Sequence, residues 1–142
     1  MTKGDAMGRM VIGLASGSYE KLLVTSTVTG GAVALDMDVD IYLLLGGVYA
    51  FRKDVAVTGT YTDRPELRAE MAAGMAGAAV PDPLESLRTL KAEHPVRIHV
   101  CGTAGKIWGA GELDDFVDIC DDIVGIAEYI TRCEEADVVQ VF

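Results

Sequence analysis

A thiol stands where a short apolar run gives way to glycine. It is Cys101, in the stretch RIHVCGTAGKIWG. Val96 to Val100 reads as a strand, and Gly102 and Gly105 open the turn that leads to Trp108. A cysteine at such a junction meets the N–H groups of the following turn, whose partial positive charge favours thiolate over thiol. Gly102 and Gly105 would leave the backbone open to an adduct on the sulfur. The chemistry on offer is therefore nucleophilic sulfur chemistry. The competing description is a small buried hydrophobe at a strand end, the commonest condition of a free cysteine.

The neighbours of Cys101 add little that is specific. His99 lies two residues earlier and shares its strand face. Side chains at that spacing are about 6–7 Å apart, so a Cys–His pair needs the thiol to turn, and a satisfied structural histidine is the plainer reading. His94, before Pro95, belongs to a loop, and a zinc site needs more ligands than this spacing gathers; no metal is expected. Cys120 reads as part of a strand and Cys133 as part of a helix stripe, both core positions. There is no C-x-x-C pair, and Cys120 resolves a bond to Cys101 only if their strands are neighbours.

Three further groups are candidates for the same sheet edge. Ser16-Gly17-Ser18 follows the first strand, where its N–H groups could meet an anion. Neither G-x-G-x-x-G nor G-x-x-x-x-G-K-[ST] is present, so no nucleotide cofactor is expected. Tyr49 and Trp108 are either walls of a pocket or an oligomer contact. Carboxylates gather at Glu112, Asp114, Asp115, Asp118, Asp121 and Asp122. Asp121 and Asp122 read as the N-cap of the last helix, with a Mg²⁺ site as the alternative.

The elements that position these residues follow from hydrophobic pattern. Residues 1–9 read as a flexible start and 10–142 as a single domain. Met10–Ala15 is a buried strand, and Ser18 caps a helix from Tyr19 to about Leu35. That helix is small and uncharged nearly all round, so it is expected to be buried on more than one side. Close packing would explain the Gly30-Gly31 pair. A second strand runs through Ile41–Leu45 and ends at Gly46-Gly47, followed by an apolar loop at Val48–Phe51. Residues 54–62 are ambiguous. Pro65–Met75 is helical, and its small residues through Val80 suggest a closely packed or mobile segment. Leu84–Lys91 is an amphipathic helix.

Arg97–Val100 is the third strand, Ala104–Trp108 about one helical turn, and Phe116–Cys120 a fourth strand. Ile123–Ala136 is the last helix, with Ile126, Tyr129, Ile130 and Cys133 as its apolar stripe. Asp137–Phe142 is the fifth strand. Strands alternating with helices predict an α/β three-layer sandwich, a mostly parallel five-stranded sheet with helices on both faces. Ligands of such sheets bind at the carboxyl edge.

The whole chain has 142 residues, half of them hydrophobic, enough for a core without disulfides. Its net charge of −10 excludes a phosphate-neutralising surface, and with it nucleic acid as a partner. No apolar run is long enough for a bilayer. The start, MTKGDAMGRM, lacks the apolar segment of a signal peptide, so a cytoplasmic chain with three free thiols is expected.

Four segments, VIGLASGSYEKL, VDIYLLLGGVYAF, VRIHVCGTAGKIWG and DIVGIAEYITRCEEADVVQVF, together resemble the small DsrE/DsrF-like family over residues 10–142. The resemblance implies a flavodoxin-like fold assembled as a homo-oligomer, a trimer or hexamer. Family members associated with sulfur oxidation or tRNA thiolation carry sulfur as a cysteine persulfide. In several, the carrier is the cysteine that follows the strand near the C-terminal third, and Cys101 matches it. The function implied is a sulfur carrier or sulfurtransferase that takes a persulfide or thiosulfonate from a donor protein and passes it to an acceptor thiol without a cofactor. The alternatives are a thiol redox protein, and a small-ligand-binding, structural or regulatory oligomeric module without catalysis.

Overall fold

Three strands of alternating pattern form the centre of the sheet in a computed structural model, which describes residues 8–142. They are β1 (Arg9–Leu14), β2 (Asp38–Leu43) and β3 (Val96–Cys101). Two short strands, β4 (Asp122–Val124) and β5 (Val138–Val141), flank them. All pair in parallel in the order β4-β3-β2-β1-β5. Of the flexible start expected for residues 1–9, residues 1–7 lie outside the described residues, and Arg9 is already in β1.

Alternation along the strands sorts the side chains into two layers. Met10, Ile12 and Leu14, with Val39, Ile41, Leu43, Val96, Ile98 and Val100, join one continuous core. Helices α1 (Tyr19–Ala34) and α5 (Pro83–Glu93) cover that face through Leu22, Ala32, Val33 and Leu87. On the opposite face Val11, Asp40, Tyr42 and His99 are buried, under helix α7 (Ile126–Glu135), whose Tyr129 hydroxyl leaves no room for a Cβ on Gly13. The chain advances from β1 to β4 in one direction and then returns across the sheet to β5. Right-handed crossovers in opposite directions place their helices on opposite faces. The result is the three-layer sandwich expected from the pattern, flavodoxin-like as the resemblance implies, although β1 here is flanked by β2 and β5 rather than by β2 and β3 as in flavodoxin itself.

Several boundaries differ from the sequence reading. The apolar stretch read as a loop is helix α2 (Leu45–Ala50), and Gly46 and Gly47 belong to it. Gly47 sits so close to the Leu14 carbonyl that a Cβ would lie 2.2 Å from it. The ambiguous stretch contains α3 (Lys53–Thr58). A 3₁₀ turn at Pro65–Leu67 leads into α4 (Arg68–Gly77). The small residues of α4 are not closely packed: none of its side chains is buried, and Gly74 and Gly77 face open space. Gly30 and Gly31 also face open space, so close packing does not explain them. Helix α1 buries one side only, and its buried Thr25 and Thr29 donate to the carbonyls of Lys21 and Thr25.

The fourth strand is not Phe116–Cys120. That segment contributes Phe116, Ile119 and Cys120 to the core, and Phe116 makes one antiparallel bridge to Arg52. The pairing with β3 falls instead at Asp122–Val124, because partners on β3 and α5 satisfy the two acids that lead into it. Asp121 accepts from the Ile98 N–H at 2.7 Å and from Lys91 at 2.6 Å, and Asp122 pairs with His99. Neither acid caps the last helix, which starts four residues after Asp122 behind Gly125. Of the α7 stripe, Ile126 and Ile130 are about half exposed (50% and 53%), while Tyr129 and Cys133 turn inward.

Candidate functional site

Two strand-to-helix corners at the carboxyl edge of the sheet, after β1 and after β3, carry the candidate residues. The first follows β1. Ser18 is the N-cap of α1 and accepts from the Lys21 N–H at 3.2 Å. The N–H groups of the turn are consumed within the chain. Ala15 and Ser16 donate to the Phe142 carbonyl, Gly17 to the Tyr61 hydroxyl at 3.1 Å, Ser18 to Ser16 Oγ and Tyr19 to the Tyr61 carbonyl. An anion at this turn would find its backbone N–H groups already taken.

A strap of residues 60–64 closes that corner from above. Thr60 donates to the Gly17 carbonyl, and Ser18 donates to Asp63 Oδ2 at 2.7 Å. Glu20 ties the far end by accepting from Thr62 Oγ1 and from the N–H groups of Asp63 and Arg64. Against a desolvation penalty, those hydrogen bonds hold the Glu20 carboxyl down to about 2. Tyr61 and Glu20 escaped the sequence reading. Tyr61 lies in a stretch without periodicity, and Glu20 looked like an ordinary first-turn acid.

The second corner follows β3, and it is built differently. Cys101 ends the strand and is the N-cap of the short helix α6 (Gly102–Ile107), with extended φ −71° and ψ 117°. Its side chain is half-buried and packs on the edge of the core. No side chain caps the first turn of α6. A Cβ on Gly102 would sit 3.3 Å from Ile123 Cγ2. Gly105 does not open the backbone to an adduct; the Ala110 carbonyl fills the place its Cβ would take, at 2.6 Å. Since β2 lies between β1 and β3, the corner with Ser16 and Ser18 is about 10 Å from the Cys101 corner across the sheet, and these serines do not support the thiol.

His99 is braced beneath this corner rather than offered to the sulfur. Its Nδ1 lies 2.7 Å from Asp122 Oδ1 and its Nε2 lies 2.7 Å from Asp40 Oδ1. Arg97 Nε donates to the same Asp40 oxygen at 3.1 Å, and Tyr42 stacks on the imidazole with centroids 4.5 Å apart. Both ring nitrogens donate only in the imidazolium form. Burial opposes that charge, but the bonds to Asp40 and Asp122 outweigh it and raise the His99 pKa above 6.5. Burial likewise works against the Asp40 carboxylate, and His99 and Arg97 still hold its pKa below the usual range. The signal for this cluster was present in VDIYLLL: Asp40 is an acid inside an apolar strand, and β2 and β3 are paired.

Tyr49 and Trp108 do come together. Their ring centroids are 5.0 Å apart with planes at 58°. Together with Ala15, Leu45, Gly46 and Tyr61 they line a cleft of about 570 Å³ between the ends of β1 and β2. Cys101 is not among its walls.

The remaining thiols differ from Cys101. All three cysteines are free. Cys120 is buried, and desolvation followed by the neighbouring Asp121 charge pushes its thiol up to about 12. Cys133 is half-buried on α7. Among the described residues, no three His, Cys, Asp or Glu side chains converge as a metal-binding group, and no helix is long and apolar enough to cross a membrane.

No protein-family model and no curated protein matches this chain. Solved structures do match it. The protein of unknown function MTH1491 from Methanobacterium thermoautotrophicum superposes with a TM-score of 0.58, over 94% of this chain and 98% of its own, at 15% identity. At that identity the likeness shows the fold alone.

Proposed function

We propose that this protein is a sulfur carrier of the DsrE/DsrF-like kind, with Cys101 as the carrier thiol. The observation that carries this reading is the Cys101 corner. There a half-buried thiol ends a central strand at the carboxyl edge, directly ahead of a helix whose first turn has no side-chain cap. Backbone N–H groups at a helix start suit the outer sulfur of a persulfide. The sequence segments around it, VRIHVCGTAGKIWG above all, support the same reading.

The transfer is redox-neutral. The Cys101 thiolate attacks the outer sulfur of a donor persulfide. A new S–S bond forms at Cys101, the donor's S–S bond breaks, and the donor leaves as a thiolate that takes a proton from water. An acceptor thiolate then attacks the outer sulfur and expels Cys101 thiolate. Oligomerisation and partner proteins for donation and acceptance belong to the same proposal. A dithiol redox role has less support, because Cys120, the candidate resolving thiol, is buried and held protonated.

Intact-mass analysis after incubating the reduced protein with polysulfide tests the proposal. The expected result is a gain of about 32 Da, one sulfur atom, confined to Cys101 and removed by an acceptor thiol. Equal labelling of Cys120 and Cys133, or none at all, overturns it.

A further inference from the structure

We infer that the cleft between the ends of β1 and β2 is a binding site for a neutral, planar small molecule, distinct from Cys101 and walled by Tyr49, Tyr61 and Trp108. Its volume of about 570 Å³ suits a small ligand. Its position, at the carboxyl edge of a parallel sheet, is where such sheets bind ligands.

The chemistry of the walls selects the class. No lining residue is charged, in a chain of net charge −10. An anionic ligand would find no countercharge among them. A cation would compete with Arg52, whose guanidinium already lies 5.7 Å from the Tyr49 ring centroid and donates to the Trp108 carbonyl. What the cleft offers is aromatic surface.

That surface is held in place before any ligand arrives. Trp108 Nε1 donates to the Leu45 carbonyl at 2.8 Å, and the Tyr61 hydroxyl accepts from the Gly17 N–H. The polar ends of two rings are thus spent on the protein, which leaves their faces for contact. The floor is backbone against backbone. A Cβ on Gly46 would lie 2.6 Å from the Ala15 carbonyl, and one on Gly17 would lie 2.2 Å from the Gly46 carbonyl. Neither glycine can carry a side chain that would fill the space. Fixed rings and a fixed floor lower the ordering cost of binding, and flat ligands gain most from ring faces.

Trp108 is the single tryptophan of the chain, so the cleft has its own reporter. The experiment titrates the full protein with riboflavin, adenosine and indole, following tryptophan emission and the Trp108 indole N–H resonance. Tetramethylammonium and cyclohexanol serve as the cationic and the non-planar comparison. The expected result is a saturable shift of the indole resonance with at least one planar probe, weakened about tenfold by Leu45→Asp and unchanged by Cys101→Ser. Leu45 is half exposed (50%), so its substitution leaves the fold intact, which thermal unfolding of the variant checks. No shift with any planar probe at millimolar concentration overturns the inference. A shift with tetramethylammonium alone, or one indifferent to Leu45→Asp, does the same. Loss of binding in Cys101→Ser would merge this cleft with the carrier site instead of separating them.

Discussion

The corners after β1 and β3 occupy equivalent places in the sheet, yet one is closed and the other open. At β1 the turn is braced from above. Tyr61, Thr60 and Asp63 reach over it, Glu20 anchors their strap, and the turn's N–H groups are used up. At β3 the brace lies below. His99 ties β3 to β2 through Asp40 and to β4 through Asp122, and the top of the strand, with Cys101, stays uncovered by a side-chain cap. Equivalent topology therefore does not give equivalent chemistry. A strand end is open to a substrate where its brace lies below the turn and closed where the brace lies over it.

The largest effect should come from Cys101→Ser, which keeps the size of the side chain and removes the nucleophile. Sulfur loading is expected to vanish while thermal stability stays near that of the parent, both measured on the same preparation. If loading persists, the open corner is not the reactive one.

Removing the lower brace should cost the most stability. His99→Ala leaves Asp40, only 2% exposed, facing Arg97 alone. Breaking one partner of a buried charged set costs about 3–5 kcal/mol, read by urea unfolding. The pH profile sharpens the point. The His99 pKa is raised in the fold, so its contribution is complete below the unfolded value near 6.5 and is lost as pH rises through the higher folded value. The Asp40 pKa is lowered, so its contribution holds above the unfolded value of 3.8 and fades as pH falls through the lower folded value. The advantage of the parent over His99→Ala should therefore peak between those limits and shrink on the alkaline side. A flat difference across that range would mean that the imidazolium clamp is not what holds β3.

The upper brace should give a smaller effect with a different pH signature. Ser18→Ala removes both the cap of α1 and the bond to Asp63, a loss of about 1–2 kcal/mol. Glu20 is depressed to about 2, so the strap keeps its contribution above the ordinary carboxylate value of 4.5 and gives it up only as pH falls through about 2. Alkaline pH should loosen the β3 corner and leave the β1 corner alone. Amide exchange at Gly17 and at Val100, compared across pH, separates the two.

Much of the fold was legible in the residues. The apolar cores of β1, β2 and β3, the cap at Ser18 and the placement of Cys101 at a strand end all follow from pattern and local chemistry. What pattern could not supply were features decided by distant partners. Asp121 and Asp122 look like helix caps until Ile98, Lys91 and His99 take them up, which moves the fourth strand past Cys120. Gly46 and Gly47 look like a strand terminator, yet they lie in a helix, where the backbone of Leu14 and Ala15 comes too close for a Cβ. Tyr61 has no periodic neighbours, and its role exists only through Gly17 and Ser16, more than forty positions earlier. At the candidate site, Tyr49 and Trp108 meet each other and share a cleft with Tyr61 rather than with Cys101.

The smallest change isolates one contact of the strap. Tyr61→Phe keeps the ring that lines the cleft and deletes only the hydroxyl, which accepts from the Gly17 N–H at 3.1 Å and has a longer contact, 3.4 Å, with Ser16 Oγ. A neutral hydrogen bond of this kind contributes about 1 kcal/mol, so Gly17 amide exchange should quicken by about fivefold with little change in the global transition. The other strap bonds, from Thr60, Ser18 and Glu20, remain and keep the loop in place. The ring should still answer the planar probes, because contact in the cleft uses its face. If Tyr61→Phe instead loosens residues 60–64 as a whole, the hydroxyl is the keystone of the upper brace rather than one of several ties. The β1 corner would then be closed by a single bond, and the contrast with β3 would be one of a latch against a clamp.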